Sequence, residues 1–134
     1  MIVAFWCVLV AALLPLGCAY VAKFGPTEGA ADRFDNRRPR AWLNAQTGAR
    51  ARANAAQANG FEAFPLFAVA VVVAVLQHVP VATVDTCAIV FVVARLAYIV
   101  AYLADRPTLR SLAWGVGFVA CLALFGFAAG GTLR

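Results

Sequence analysis

The sequence predicts an all-α integral membrane protein, a bundle of four transmembrane helices forming one domain, and three observations carry that prediction. Of its 134 residues, 64% are hydrophobic and only 13% are charged, a balance outside the range of soluble domains of this size. Four apolar stretches approach or exceed the roughly 20 residues that cross a hydrocarbon core of about 30 Å. The net charge of +5 is gathered rather than spread, because Lys23, Arg33, Arg37, Arg38, Arg40, Arg50 and Arg52 all lie between the first two stretches. The expected spans are about residues 1–22, 41–78 including a polar extension, 81–104 and 108–129, with a basic loop at 23–40.

The first stretch has no basic residue ahead of it, and Pro15 stands where a lipoprotein cleavage box wants an aliphatic residue, although Pro15-Leu16-Gly17-Cys18 resembles one. It is expected to be an uncleaved span kinked at Pro15. Residues 23–40 read as a loop, since Gly25-Pro26, Gly29, Asn36 and Pro39 punctuate a charged run. From Ala41 the Ala-rich sequence has high helix propensity, which predicts one long second helix ending near His78, ahead of Pro80. The positive-inside rule puts loops 23–40 and 104–108 in the cytoplasm and both termini outside it, because the connection around His78–Pro80 has no Lys or Arg. Frequent Gly and Ala, including Gly115, Gly117 and Gly126 in the fourth span, suit close helix packing in lipid.

Several function classes are excluded by composition. A nucleic-acid interface is not expected, since Glu28, Asp32 and Asp35 interrupt the basic loop and topogenesis already accounts for its charge. Cys7, Cys18, Cys87 and Cys121 show no metal-ligand spacing and read as small buried hydrophobes. His78 stands alone at a helix end, so no metal site is expected.

The chemistry-bearing residues fall on two helical faces. At about 100° per residue, Arg52, Asn59 and Glu62 share an arc of about 80°, while Gln57 looks elsewhere. Glu62 lies in an apolar run, where an ionised group costs about 2.5–3.5 kcal/mol, so it must meet a partner helix or a wet cavity. It is either a functional group or interhelical glue together with Asn59. Pro65 cannot donate to the carbonyl of Phe61 and loosens the helix one turn away. On the third span Arg95, Tyr98, Tyr102 and Asp105 share a second arc of about 80° at a similar depth. The tyrosines are interfacial belt residues or ligand contacts, and Arg95 is expected to snorkel or to pair with Glu62. Pro107 suits a helix start, which places Arg110 in the first turn, at the unfavourable end of the macrodipole unless an anion is present. Positive groups converging there suit a carboxylate or a thiolate.

With these residues assembled, nearly the whole chain resembles the MAPEG family, the membrane-associated proteins of eicosanoid and glutathione metabolism, and in particular its small bacterial members. The resemblance rests on Gln57-Ala58-Asn59-Gly60-Phe61-Glu62-Ala63-Phe64-Pro65 opening the second span, and on Arg95-Leu96-Ala97-Tyr98 continuing through Tyr102 to Arg110. It implies a homotrimer in a bacterial inner membrane, with glutathione bound between subunits toward the cytoplasmic side. It further implies that Asn59, Glu62 and Gln57 hold the peptide, Glu62 at its α-amino group, that Tyr98 and Tyr102 contact it, and that Arg110 stabilises its thiolate. The chain departs from the glutathione-using members at Ala55, where they carry Arg, and at Ala63, where several carry Tyr. Arg52, one turn before Ala55, is the candidate replacement for the missing guanidinium.

The expected function is a glutathione-dependent membrane enzyme that joins the thiol to a lipophilic electrophile or reduces a lipid hydroperoxide. Its partners would be glutathione, a lipophilic small molecule and membrane lipid. The competing expectation, which Ala55 and Ala63 favour, is a non-catalytic lipid-binding or scaffold protein of the same fold. A small proton-coupled transporter is a third, opposed by the long basic loop and by Glu62 lying near an interface.

Overall fold

The computed structural model describes residues 2–26 and 33–131. The helices are α1 (Val3–Phe24), α2 (Pro39–Asn44), α3 (Gly48–Leu76), α4 (Val81–Leu103) and α5 (Pro107–Gly131), with no strand among the described residues. Four of the five are long and apolar enough to cross a membrane. The protein is an all-α, multi-pass membrane bundle. α1 packs chiefly on α3 and α4 chiefly on α5, while α3 also touches α4 and α5 and α1 touches α4.

The inside of the bundle is small and the outside is large. α1 buries Ala4, Cys7, Ala11, Pro15, Cys18 and Ala22, a stripe spaced three and four residues apart along one face. Opposite it α3 buries Ala53, Ala56, Phe67, Ala70, Val71 and Ala74. Leu9, Leu13, Leu16, Val69, Val93, Leu112, Val119 and Leu122 are exposed. Lipid tails are as apolar as leucine, so nothing draws large side chains inward, and small ones let backbones meet. α1 and α3 approach closely at Gly60, where a Cβ would lie 2.8 Å from Cγ of Pro15. α1 and α3 run unbroken through Pro15 and Pro65. Farther along, Phe67 and Phe91 stack at 3.8 Å between centroids, 8° from parallel, and tie α3 to α4.

Helix ends are closed by specific groups. The Asp85 carboxylate accepts the backbone N–H of Ala4 at 2.7 Å, so a side chain of α4 satisfies an orphan donor of α1, on the favoured side of its dipole. α3 and α4 both end in the two-bond motif that follows a left-handed residue. At the first, His78 has φ 56°, and the N–H groups of His78 and Val79 donate to Val75 and Ala74. At the second, Asp105 has φ 54°, and Asp105 and Arg106 donate to Tyr102 and Ala101.

Two sequence expectations are corrected here. The long second helix is two helices, since α2 ends at Asn44 and α3 starts at Gly48, whose φ of 58° glycine adopts without steric cost. Propensity loses to packing: Trp42 turns inward against Phe34, at 5.2 Å and 90° between rings, and under the guanidinium of Arg50 at 5.5 Å. Asp105 does not continue the face of Arg95, Tyr98 and Tyr102, because its left-handed backbone lies past the end of α4. Glu28 and Asp32 of the basic loop, Met1, and the tail 132–134 lie outside the described residues.

Candidate functional site

The two polar faces read from the sequence meet through one amide. Asn59 on α3 accepts a hydrogen bond on Oδ1 from Nη1 of Arg95 on α4 at 3.0 Å. Its Nδ2 donates to Oε2 of Glu62 at 3.4 Å, one helical turn farther on. A guanidinium only donates and a carboxylate only accepts, so both bonds together fix which way the amide points. Arg95 therefore neither snorkels nor pairs directly with Glu62. It is 4% exposed, and Asn59 stands between the two charges.

From Arg95 a ladder of rings and cations runs along the C-terminal end of α4 to the start of α5. The Arg95 guanidinium lies 4.2 Å from the centroid of the Tyr98 ring. Tyr98 meets Tyr102 edge to face, 5.5 Å between centroids at 74°. Arg110, in the first turn of α5, lies 4.4 Å from the Tyr102 ring. Each contact joins a cation or a ring edge to the negative face of an aromatic ring. The ladder holds Arg110 over Tyr102 although the nearby helix N-terminus repels it.

Two adjoining cavities follow this ladder. The first, of about 170 Å³, includes Asn59, Glu62, Ala63, Arg95, Trp114 and Cys121 in its lining. The second, of about 260 Å³, is lined by Tyr98, Tyr102, Arg110, Ser111 and Trp114. Trp114 belongs to both. A third space, an apolar groove of about 580 Å³ between α4 and α5, shares Ser111 with the second and runs past Val90, Leu112, Val116 and Val119. A polar cleft thus adjoins an apolar trough, the form of a site that takes one polar and one lipophilic ligand.

Of the residues singled out by sequence, Asn59 and Glu62 line the first cavity and Tyr98, Tyr102 and Arg110 the second. Arg52 and Gln57 line neither. The Nε of Arg52 donates to the Leu103 carbonyl at 3.2 Å, so it caps the last turn of α4, where a cation suits the dipole. Gln57 points away from both cavities, and its Oε1 is buried without a hydrogen-bond partner. Sequence reasoning missed Trp114, although it follows Arg110 by four residues and so shares its helix face. Cys121, 1% exposed, was read only as packing, yet it lines the first cavity. All four cysteines are free, and no three metal-binding side chains come together among the described residues.

The family model described as the MAPEG family matches residues 3–130. No curated protein matches the chain.

Proposed function

This chain belongs to the MAPEG family, and on that premise we propose that it is a glutathione-dependent membrane enzyme of the transferase or peroxidase type, acting on lipophilic electrophiles or lipid hydroperoxides. The family includes glutathione transferases, peroxidases and eicosanoid synthases. The observation that carries the reading is the continuity from Glu62 through Asn59, Arg95, Tyr98 and Tyr102 to Arg110 along two cavities that share Trp114. The donor set suits the tripeptide. Glu62 offers a carboxylate for its ammonium group, the tyrosines and Asn59 offer neutral hydrogen bonds, and Arg110 offers a guanidinium to an anion.

Glutathione brings a thiol, which ordinarily ionises near pH about 8.5 and attacks only as the thiolate. Arg110 is the residue assigned to favour that ionised form, because its charge is permanent. Held on the Tyr102 ring, it has little freedom to turn away from the second cavity. The apolar groove beside Ser111 supplies the approach for the second substrate, and its valine and leucine walls select for apolarity alone.

The same reading assigns a homotrimer with glutathione between subunits. Gln57, whose amide oxygen has no partner within its own chain, is then the residue offered to a neighbouring subunit's site. The capping role of Arg52 at Leu103 leaves it out of the site unless the ligand displaces it. We place the protein in a bacterial inner membrane, as the resemblance to the small bacterial members implies, with loops 23–40 and 104–108 in the cytoplasm on the charge distribution.

Calorimetric titration of glutathione into the detergent-purified protein, with Glu62→Gln as the paired variant, tests the proposal. The expected result is binding that weakens about tenfold or more in the variant, on the scale of one lost charge-assisted hydrogen bond. Binding should be accompanied by a thiolate absorbance that Arg110→Ala shifts to higher pH. A folded protein that binds no glutathione would overturn the reading and mark Ala55 and Ala63 as signs of a lost peptide site.

A further inference from the structure

Where residues 33–38 and α2 clasp the start of α3, two buried polar atoms, Nη1 of Arg50 and Nε1 of Trp42, have no acceptor among the described residues. Arg50, in the first turn of α3, is 8% exposed, and its Nε donates to the Gly25 carbonyl at 3.0 Å. Its Nη1 is buried with no acceptor. Among the described residues no carboxylate pairs with it, and the one ion pair joins Arg38 to Asp35 at 3.6 Å. Trp42, 9% exposed, lies under that guanidinium, and its Nε1 is likewise buried with no acceptor. A buried indole N–H normally finds a partner.

Trp42 lines a polar depression of about 390 Å³ whose other residues are Arg33, Asp35, Arg38 and Ala41. Asp35 is engaged inside the loop, accepting the N–H of Arg37 at 2.8 Å as well as facing Arg38. It offsets one of the two guanidinium groups on the rim, and among the described residues no carboxylate compensates that of Arg50 behind Trp42. The clasp is tied to the last turn of α1, where Lys23 Nζ lies 4.7 Å from the Phe34 ring and Phe24 meets the same ring at 6.4 Å. By its length α1 leaves the hydrocarbon in this last turn, which puts the depression at headgroup level.

We propose that this depression is a binding site for the headgroup of an anionic phospholipid. Its phosphate would sit against Arg33 and Arg38, and a lipid oxygen would accept from Nε1 of Trp42 after a small shift of the side chains covering it. A zwitterionic lipid gains less, because its own cation meets the excess positive charge of Arg33, Arg38 and Arg50. The site is separate from the glutathione cleft and does not depend on the activity proposed for it.

The test is native mass spectrometry of the detergent-purified full chain with phosphatidylglycerol and phosphatidylcholine at equal mole fraction. The wild-type protein should retain the anionic lipid about tenfold more than the zwitterionic one, as basic residues at a headgroup surface provide. The double variant Arg33→Ala/Arg38→Ala, at two exposed positions that leave the clasp packing alone, should bring that ratio to within about twofold of one. Trp42→Phe keeps a ring under Arg50 and removes only the donor, so it should lower the ratio part of the way. Arg37→Ala/Arg40→Ala removes the same charge away from the depression and should leave the preference largely intact. Equal retention of both lipids by the wild type would overturn the proposal. So would an equal loss of preference in the Arg37/Arg40 variant, which means diffuse attraction, or full displacement of the lipid by inorganic phosphate alone, which means a free-anion site.

Discussion

Arg50 and Arg95 are the two charged side chains that the fold buries, and they are held in different ways. Both lie over an aromatic ring, and both have one terminal nitrogen without a partner. Arg50 donates to a backbone carbonyl at the end of α1. It acts as a staple, fixing the loop against the bundle. Arg95 donates to the side chain of Asn59, which in the same arrangement serves Glu62 at the edge of a cavity. A ligand entering there meets three polar groups that are hydrogen-bonded in series, with Glu62 exposed at one end, so it can exchange partners with them at little cost. The difference separates a buried charge that builds structure from one that lies in a candidate binding site.

The largest effect follows from removing the shared amide. Asn59→Leu leaves the Arg95 guanidinium buried with no hydrogen-bond acceptor and frees Glu62 from its neighbour. A loss of about 3 kcal/mol is expected from an unsatisfied buried charged group, read as a lower midpoint in detergent unfolding. Adding Arg95→Met should recover part of it, since the stranded charge is then gone. If the single variant is as stable as the wild type, Arg95 has another partner and the comparison fails on that side.

Arg50→Met tests the other side, with a smaller and more local result. It removes the bond to Gly25 and the contact on Trp42, about 1–2 kcal/mol together after allowing for the orphan nitrogen that goes with it. Trypsin should then cut faster at Arg33, Arg37 and Arg40, while the bundle stays helical and glutathione affinity stays within about twofold, the scatter expected for distant sites. A variant that lost glutathione binding and loop protection together would show that the clasp and the cleft are one cooperative unit.

The same contrast explains what was readable in the sequence. The four spans were legible because bilayer thickness sets a length that composition reveals. The faces carrying Asn59 with Glu62, and Arg95 with Tyr98 and Tyr102, were legible because a helix repeats every 3.6 residues. Pairing across helices was not, because it depends on depth and rotation: Arg95 meets Asn59 and not Glu62, one turn away. The break at residues 45–47 was hidden by the helix propensity of alanine, which the inward turn of Trp42 outweighs. Arg52 shares the arc of Asn59 by angle, yet lies two turns away along the axis, level with the Leu103 carbonyl. Periodicity reports direction around a helix and says nothing of which groups on facing helices share a level.

The smallest effect bears on the wall that keeps Arg95 dry. Gly60 faces Pro15, and with Arg95 these two residues border a void of about 10 Å³, at the floor for one water molecule. A Cβ at Gly60 would lie 2.8 Å from Pro15, closer than packed carbons approach, and neither α1 nor the proline ring can bend away locally. Gly60→Ala should therefore part α1 from α3 slightly, costing about 1 kcal/mol net of the helix propensity that alanine adds. It should also speed hydrogen exchange at the guanidinium of Arg95. Gly117→Ala is the matched control, since its Cβ would meet Phe91 and Ala94 at 3.6 and 3.7 Å, ordinary contact distances. It adds a methyl to the lining of the first cavity without moving a helix. Stability should then hold within about 0.5 kcal/mol, and any loss of glutathione affinity reports the cavity alone. Equal destabilisation by both substitutions would mean that the bundle tolerates added volume neither between α1 and α3 nor between α4 and α5, and that the contact of Gly60 with Pro15 is no special wall for Arg95.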